Sequence, residues 1–210
     1  MKRHSALIFP LLIGCGGIEA AEPRQTEESY KPADGSQGYR YLLHLPKGDK
    51  NGKKKWPLLV FLHGSGERGD NLQKLKKHGP PKIAAHKGLP FIVVSPQCPS
   101  GSRWKPKIIA RMIDDVIAKH PADPKRIYLT GLSMGGFGTW ATAAEYPAKF
   151  AAIAPICGGG KAEWAKKYGP LPIWNFHGGA DRVVPSKLSR VMVEAIKKAG
   201  GNVTYTEYPD

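Results

Sequence analysis

The sequence holds few cysteines and no hydrophobic run long enough to cross a membrane. Three cysteines in 210 residues do not make the disulfide framework that supports many small secreted domains. The absence of a fixed-period repeat or a long low-complexity tract excludes repeat architectures. Because 41% of the residues are hydrophobic, the chain suits one globular domain with a substantial core.

Acidic residues are also scarce, since 17 Asp and Glu face 32 Lys and Arg and leave a net charge of +15. Lysines are concentrated in residues 47–56, KGDKNGKKKW, and 73–82, QKLKKHGPPK. Such runs favour a solvated face, with attraction to an acidic polysaccharide or a membrane surface as the alternative. No recognised motif accompanies them, so we expect no nucleic-acid partner. Without a ligand-spaced His/Cys cluster or a nucleotide-binding glycine pattern, we expect no metal and no cofactor.

The N-terminus has the pattern of an export signal. Lys2 and Arg3 precede an apolar run over residues 5–14, which predicts a signal peptide within residues 1–20. The run ends in LIGC and resembles a bacterial lipobox, which would make Cys15 a lipidation site that attaches the protein to a membrane.

An ordinary cleavage after Ala20 is the alternative, and it would give a periplasmic or secreted protein. The next residues, 21–36, are polar and contain prolines, so they are predicted to form a tether. The folded domain is then expected over residues 37–210.

Short apolar runs alternate with helical patterns in this domain. Apolar stripes of helical period over 109–117 and 188–196 predict amphipathic helices, and a third helix is expected from Met134. The runs predicted as strands are 40–45, 56–63, 90–96, 126–131, 150–156, 172–178 and 202–208. They are nearly continuous in hydrophobicity, which indicates strands covered on both faces. The alternation predicts a three-layer α/β/α fold around a doubly wound, mainly parallel sheet.

A serine among glycines follows the strand predicted at 126–131. Gly131-Leu132-Ser133-Met134-Gly135 fits G-x-S-x-G, a sharp strand-to-helix turn that exposes a nucleophilic serine. The turn has no room for side chains two residues before and after the serine, and Gly131 and Gly135 have none. The amide of Met134, at the helix N-terminus, would stabilise an oxyanion. The alternative is an ordinary tight turn.

A second backbone donor is expected from the loop LHGSGERGD. Its strand ends at His63-Gly64, and the amide of the next residue, Ser65, would complete an oxyanion hole. His63 is expected to fix this loop rather than act as a base. Trp104 follows another strand end, where it would either contact substrate or pack in a loop.

The acid of the site is expected at Asp181, in the turn NFHGGADRVVP past another strand end. There its carboxylate would orient a catalytic imidazole and stabilise the charged form of that ring. The alternative is that Asp181 caps the following helix. His177, before the turn, is expected to be structural.

Four segments, LHGSGERGD, DPKRIYLTGLSMGGFGTW, PICGGG and HGGADRVVP, together resemble the α/β-hydrolase superfamily. The chain is similar to exported bacterial carboxylesterases of the "predicted peptidase", phospholipase/carboxylesterase and dienelactone-hydrolase-like groups. The resemblance implies an eight-stranded sheet and ester hydrolysis through an acyl-enzyme. It implies Ser133 as the nucleophile, Asp181 as the acid, and the amides of Met134 and Ser65 as the oxyanion hole.

The resemblance also implies a catalytic histidine after the last strand. All seven histidines of the sequence precede Asp181. Two interpretations follow: a longer hydrolase that lacks its C-terminal histidine segment here, or a pseudoenzyme that binds with little turnover. Loss of a triad member costs about a millionfold in turnover in a comparable system.

The expected substrate is an ester. A small or polysaccharide-linked ester, such as a feruloyl or acetyl ester, suits an exported basic enzyme. The alternatives are a peptidase of the prolyl-oligopeptidase type and a non-catalytic, polysaccharide-binding surface lipoprotein. Cys98 and Cys157 follow strands that the usual order separates by about 14 Å. A bridge needs Cα atoms within about 7 Å, so both are expected to stay free.

Overall fold

The computed structural model describes residues 25–47 and 54–209, which build one sheet of eight strands with helices packed against it. The strands are β1 Thr26–Tyr30, β2 Tyr39–His44, β3 Trp56–Leu62, β4 Ile92–Gln97, β5 Ala122–Leu132, β6 Ala152–Ile156, β7 Ile173–Gly178 and β8 Val203–Tyr208. Their order across the sheet is β1-β2-β4-β3-β5-β6-β7-β8. β1 and β2 run antiparallel to their neighbours, and the pairs from β4 through β8 are parallel. The predicted fold class is confirmed.

The helices are α1 Gly79–His86, α2 Pro106–Lys119, α3 Met134–Glu145, α4 Ala165–Tyr168 and α5 Lys187–Lys198. The apolar stripes predicted α2 and α5, and the serine turn predicted the start of α3. Pro106 opens α2 at a position where its missing N–H costs no hydrogen bond. Neither α1 nor α4 was predicted, because both are too short for a clear helical period.

The polar edge strand β1 differs from the prediction of a tether over residues 21–36. Thr26–Tyr30 pairs along its whole length with β2, from Thr26 opposite Leu43 to Tyr30 opposite Tyr39. Its side chains are mostly exposed, so the strand is stabilised by main-chain hydrogen bonds rather than by burial. A segment of this kind carries no apolar pattern from which a strand could be predicted.

The two faces of the sheet are covered unequally. Inward-facing residues such as Leu58, Val60 and Leu129 are fully buried in one large core under α2, α3 and α5. On the opposite face, α1 covers β3, and a smaller cluster forms from Leu42, Leu72 and Leu75.

Farther along that second face, a groove of about 340 Å³ runs over β5, β6 and β7. Trp174 lines it with 53% of its surface exposed. The prediction of strands covered on both faces therefore holds for the first face and only partly for the second.

The predicted signal peptide, the lipidation site Cys15 and the alternative cleavage after Ala20 lie outside the described residues. Within 25–47 and 54–209, no helix combines the length and apolar character needed to cross a membrane.

Candidate active site

Ser133 lies between the end of β5 and the start of α3, at the carboxyl edge of the parallel strands. Its backbone has φ 55° and ψ −115°, a conformation that L-residues rarely adopt. The Ser133 N–H donates to Ile156 O at 3.0 Å, which ties the turn to the end of β6. The sharp turn expected from G-x-S-x-G is therefore present at this serine.

The glycines around Ser133 are required by contacts between main chains. A Cβ on Gly135 would lie 1.8 Å from Leu62 O, and one on Gly131 would lie 2.4 Å from Gly135 O. A Cβ on Gly136 would lie 2.3 Å from Ile156 O. Since these neighbours are backbone atoms of strands or of the turn itself, no side chain fits without displacing an element.

The two proposed oxyanion donors lie on adjacent turns. Met134 is the first residue of α3, and Ser65 is the first residue of a 3-10 turn over Ser65–Glu67. Amides at these positions have no partner within their own helix. The preceding residue, Gly64, lies against the elbow, because a Cβ there would be 3.8 Å from Ser133 Cβ. The loop after β3 thus runs directly beside the serine.

His63 holds this loop in place, as predicted. Its Nδ1 lies 2.5 Å from Gly64 O, and its Nε2 accepts the Cys98 N–H at 2.9 Å. Burial lowers the pKa of His63, consistent with a neutral ring whose Nε2 is an acceptor. Both ring nitrogens are engaged, so His63 is not available as a base.

Trp104 packs behind the same loop. It is 7% exposed, donates from Nε1 to His63 O at 3.2 Å, and meets the His63 ring edge-on at 4.8 Å between centroids. Most of the Trp104 ring is therefore packed against the loop, which was the second of the two alternatives. Part of Trp104 also lines a cavity beside the elbow, so its contact with substrate stays a prediction.

Arg68 and Glu67 also brace the loop. Arg68 donates from Nε to Ser65 O at 3.0 Å and from Nη1 to Ser102 O at 3.3 Å. Glu67 is 8% exposed, and its carboxylate lies 3.9 Å from His63 Nδ1 and 3.6 Å from His78 Nε2. Arg68 thus acts on the loop through hydrogen bonds to carbonyls.

Asp181 lies in the turn after β7, with its side chain 22% exposed. Its Oδ1 accepts the N–H groups of Val183 at 2.8 Å and Val184 at 2.9 Å, which leaves Oδ2 outside the turn. The Val184 N–H, followed by that of Val183, lowers the pKa of Asp181, so the carboxylate is favoured. The alternative role of capping the next helix is wrong, because the residue before α5 is Ser186.

His177 fixes the acid turn from within the core. Its Nε2 lies 2.8 Å from Val184 O and 3.6 Å from Asp181 Oδ2, while Nδ1 lies 2.8 Å from Ser189 Oγ. Ser189 Oγ in turn donates to Gly158 O at 3.0 Å. His177 is structural, as predicted.

Cys157 lies between the serine and the acid, a placement that was not predicted. It follows β6 with φ 40°, and the only other non-glycine residue with positive φ in the described chain is Ser133. Burial raises the pKa of the Cys157 thiol, with the Asp181 charge acting in the same direction and the Ser133 backbone N–H opposing it. Its position at a strand end was the available signal. Cys98 and Cys157 are both free thiols.

The described residues do not supply a base to the serine. No histidine in 25–47 or 54–209 hydrogen-bonds to Ser133 Oγ, and His78, whose side chain is 49% exposed, lies beside Glu67 instead. The same part of the chain contains no group of three or more His, Cys, Asp or Glu that could hold a metal ion.

The sheet order and the strained turn at Ser133 define the α/β-hydrolase fold class. The chain belongs to the phospholipase/carboxylesterase family, which matches residues 105–210. That range contains Ser133, Met134 and Asp181.

Several known proteins of similar sequence or structure are named as esterases, and one is named as a depolymerase. A bifunctional acetylxylan esterase/xylanase of Neocallimastix patriciarum is 33% identical over 135 residues, 61% of this chain and 20% of the relative. Poly(3-hydroxyalkanoate) depolymerase C of Paucimonas lemoignei is 36% identical over 134 residues, 55% of this chain and 30% of the relative. A thermostable esterase of known structure is 36% identical with a TM-score of 0.76, covering 88% of this chain and 54% of the other. The chain spans between 20% and 46% of the length of the curated relatives that it matches.

Proposed function

We propose that the protein is a serine hydrolase that cleaves carboxylic esters through an acyl-enzyme. The observation that carries this proposal is the strained turn at Ser133, where φ 55° is held by glycines pressed against neighbouring main chain. Strain of this kind persists only where the surrounding structure enforces it, and such positions cluster at active sites. The family and the named esterases support the ester as the bond that is cleaved.

In the proposed reaction, Ser133 Oγ attacks the ester carbonyl carbon while its proton passes to an imidazole. The amides of Ser65 and Met134 hold the oxygen that becomes negative. The tetrahedral intermediate collapses, the C–O bond to the alcohol breaks, and the imidazole returns the proton to the departing alcohol. Water repeats these steps on the acyl-enzyme to release the acid and restore Ser133.

Asp181 is proposed to orient that imidazole. Its Oδ1 is occupied by two backbone N–H groups, while Oδ2 has no backbone donor and is left to accept from a ring nitrogen. Its lowered pKa keeps the carboxylate charged at neutral pH, as an acid that stabilises an imidazolium must be.

The proposed substrate is a small or polysaccharide-linked ester. The name of one relative contains acetylxylan esterase, and another relative is named feruloyl esterase B. These names fit the esters expected from the sequence, whereas a similar acylaminoacyl peptidase structure is 16% identical and supports the fold alone.

The test uses p-nitrophenyl acetate with and without added imidazole, in the protein and in Ser133→Ala. Because no histidine of residues 25–47 or 54–209 hydrogen-bonds to Ser133 Oγ, a diffusible imidazole should supply the base and raise the Ser133-dependent rate by about 100-fold or less. The Ser133→Ala protein corrects for hydrolysis by imidazole itself. Equal rates in the two proteins, with no fluorophosphonate adduct on Ser133 by mass spectrometry, would refute the proposal.

We also propose export and lipidation at Cys15, which rest on the sequence alone. Expression in a bacterial host should place the protein in the membrane fraction, and Cys15→Ala should release it. Identical fractionation of the two proteins would argue for cleavage after Ala20 instead.

A further inference from the structure

A cavity of about 340 Å³ opens next to the proposed nucleophile. It begins at Met134, the residue after Ser133, and runs along the outward face of α3 past Phe137 and Ala141. The opposite wall comes from the loop after β6, with Gly159 and Trp164. An ester held at Ser133 would therefore extend one of its two parts into this space.

Aromatic side chains line this cavity, which is called the slot below. Phe137 and Trp164 are half-buried, and an edge of Trp104 closes one end. Gly138 and Gly160 let the tryptophans pack closely against the main chain, because a Cβ on Gly138 would lie 2.7 Å from Trp104 and one on Gly160 would lie 3.1 Å from Met192 and 3.2 Å from Trp164. Aromatic surfaces with space between them bind planar or ring-shaped groups by stacking.

Two cations lie at the mouth of this slot. Arg103 is exposed, and within the described residues its guanidinium makes no hydrogen bond or ion pair. Lys161 lies 5.9 Å from the centre of the Trp164 ring and 3.7 Å from Glu163, in an ion pair that is 67% and 72% exposed. An ion pair that is so exposed to water holds its two charges together only weakly. Lys161 therefore remains able to attract an anion.

No carboxylate lines the cavity. The charge of the slot is therefore positive on both sides, and a neutral ring would leave the Arg103 guanidinium without a partner. A guanidinium presents paired N–H donors that match the two oxygens of a carboxylate or sulfate.

We infer that this cavity binds a ring that carries a negative charge, as part of the ester substrate. The inference rests on the proposed function, and it narrows the substrate to an ester whose ring bears a carboxylate or sulfate near the scissile bond. Two sources share this chemistry, namely an acidic sugar of a polysaccharide and an aromatic acid. The positive charge of the whole chain would add long-range attraction to either one.

The test measures binding and needs no turnover. Calorimetric titration compares methyl glucuronide with methyl glucoside, and 4-hydroxybenzoate with 4-hydroxybenzamide. In at least one pair, the charged member should bind about tenfold more tightly, a factor that corresponds to one charge-assisted contact. Preference in the sugar pair assigns the slot to an acidic sugar, and preference in the aryl pair assigns it to an aromatic acid.

Arg103→Gln should abolish the preference for the charged member. Lys197→Gln makes the same change of charge on the exposed side of α5, away from the cavity, and should leave the preference intact. Added salt should reduce the preference in the unchanged protein. Equal binding of charged and neutral members, absence of binding by all four, or an unaltered preference in Arg103→Gln would overturn the inference.

The outcome is separable from that of the esterase test. Binding is measured equally well in Ser133→Ala, because Ser133 does not line the cavity. Failure of fluorophosphonate labelling with retained anion preference would remove the hydrolase and leave an anion-binding slot. Labelling without anion preference would keep the hydrolase and remove this substrate class.

Discussion

The nucleophile turn, Gly131–Gly136, follows β5, and the acid turn, His177–Val184, follows β7 at the same edge of the sheet. The two turns are held by different kinds of contact. The nucleophile turn is fixed by main-chain contacts, with glycine Cα atoms pressed against the carbonyls of Leu62 and Ile156. The acid turn has main-chain hydrogen bonds, such as Asp181 N–H to Gly178 O, and it is also fixed by side chains, through Asp181 Oδ1, the His177 ring and Ser189 Oγ.

The two turns are therefore expected to tolerate different substitutions. A turn built on main-chain contacts has no room for any added atom but does not depend on charge. A turn built on side-chain hydrogen bonds has room, but it depends on the protonation state and the identity of each partner. Four substitutions test this difference between the two turns.

The largest effect is expected from Gly135→Ala. Its Cβ would lie 1.8 Å from Leu62 O, so β3 or α3 must shift, and we expect a loss of more than about 4 kcal/mol in the free energy of unfolding. Urea unfolding measures it. Gly88→Ala is the control, since a Cβ there meets nothing within 4 Å. A Gly135→Ala protein as stable as Gly88→Ala would show that the nucleophile turn is not sterically fixed.

Next in size is His177→Leu, which tests the side-chain network of the acid turn. Removal of the buried ring leaves Val184 O without its partner and Ser189 Oγ with Gly158 O alone, and we expect a loss of about 2–3 kcal/mol by urea unfolding. The same substitution at the exposed His86 should change stability by less than about 0.5 kcal/mol. Similar losses at the two positions would contradict a structural role for His177.

Asp181→Ala should have a smaller effect, about 1–2 kcal/mol, because its two hydrogen bonds to backbone N–H groups are partly exposed to water. The lowered pKa of Asp181 makes this stabilisation complete above the ordinary pKa of an aspartate, and it is lost as the pH falls through the lower folded-state value. The difference from the unchanged protein should therefore shrink in acid. Arg182→Ala, at the exposed neighbouring position, should show little loss and no such pH dependence.

The smallest effect is expected from the ion pair beside the acid turn. Arg190 donates from Nε to Glu207 Oε2 at 2.9 Å, and this guanidinium, with the Tyr205 hydroxyl, lowers the pKa of Glu207 from 4.5 to about 2. The contribution of the pair is complete above pH 4.5 and is lost as the pH falls to about 2. The difference in Tm between the protein and Arg190→Gln should therefore narrow over that range. A constant difference, as expected for Lys197→Gln, would show that the pair contributes nothing through its charge.

The sequence predicted the nucleophile turn better than the acid turn, because main-chain contacts hold the first and side-chain hydrogen bonds hold the second. The atoms that force glycine at 131 and 135 belong to the end of β3 or to the start of α3, whose positions follow from the fold class, so a five-residue motif identifies the turn. Asp181 was predicted from its turn, but its partner His177 was recognised only as structural. The contact from Ser189 on α5 depends on how that helix docks.

The features that were missed lacked a local pattern. β1 is polar, exposed and paired only through its main chain, so its five residues resemble a tether. Cys157 was considered only as a disulfide candidate, because its place between Ser133 and Asp181 depends on β6 lying between β5 and β7.

By itself, the sequence determined the alternating strands and helices, the sharp turn at Ser133 and the excess of positive charge. These follow from apolar periodicity, glycine and composition, each of which acts within a few residues or over the whole chain. Only the tertiary structure decided that Arg103 and Trp164 flank one cavity beside Met134, and that His177 supports the acid turn from the core. Such contacts join residues far apart in the chain, and they form only when strand order brings their loops to the same edge of the sheet.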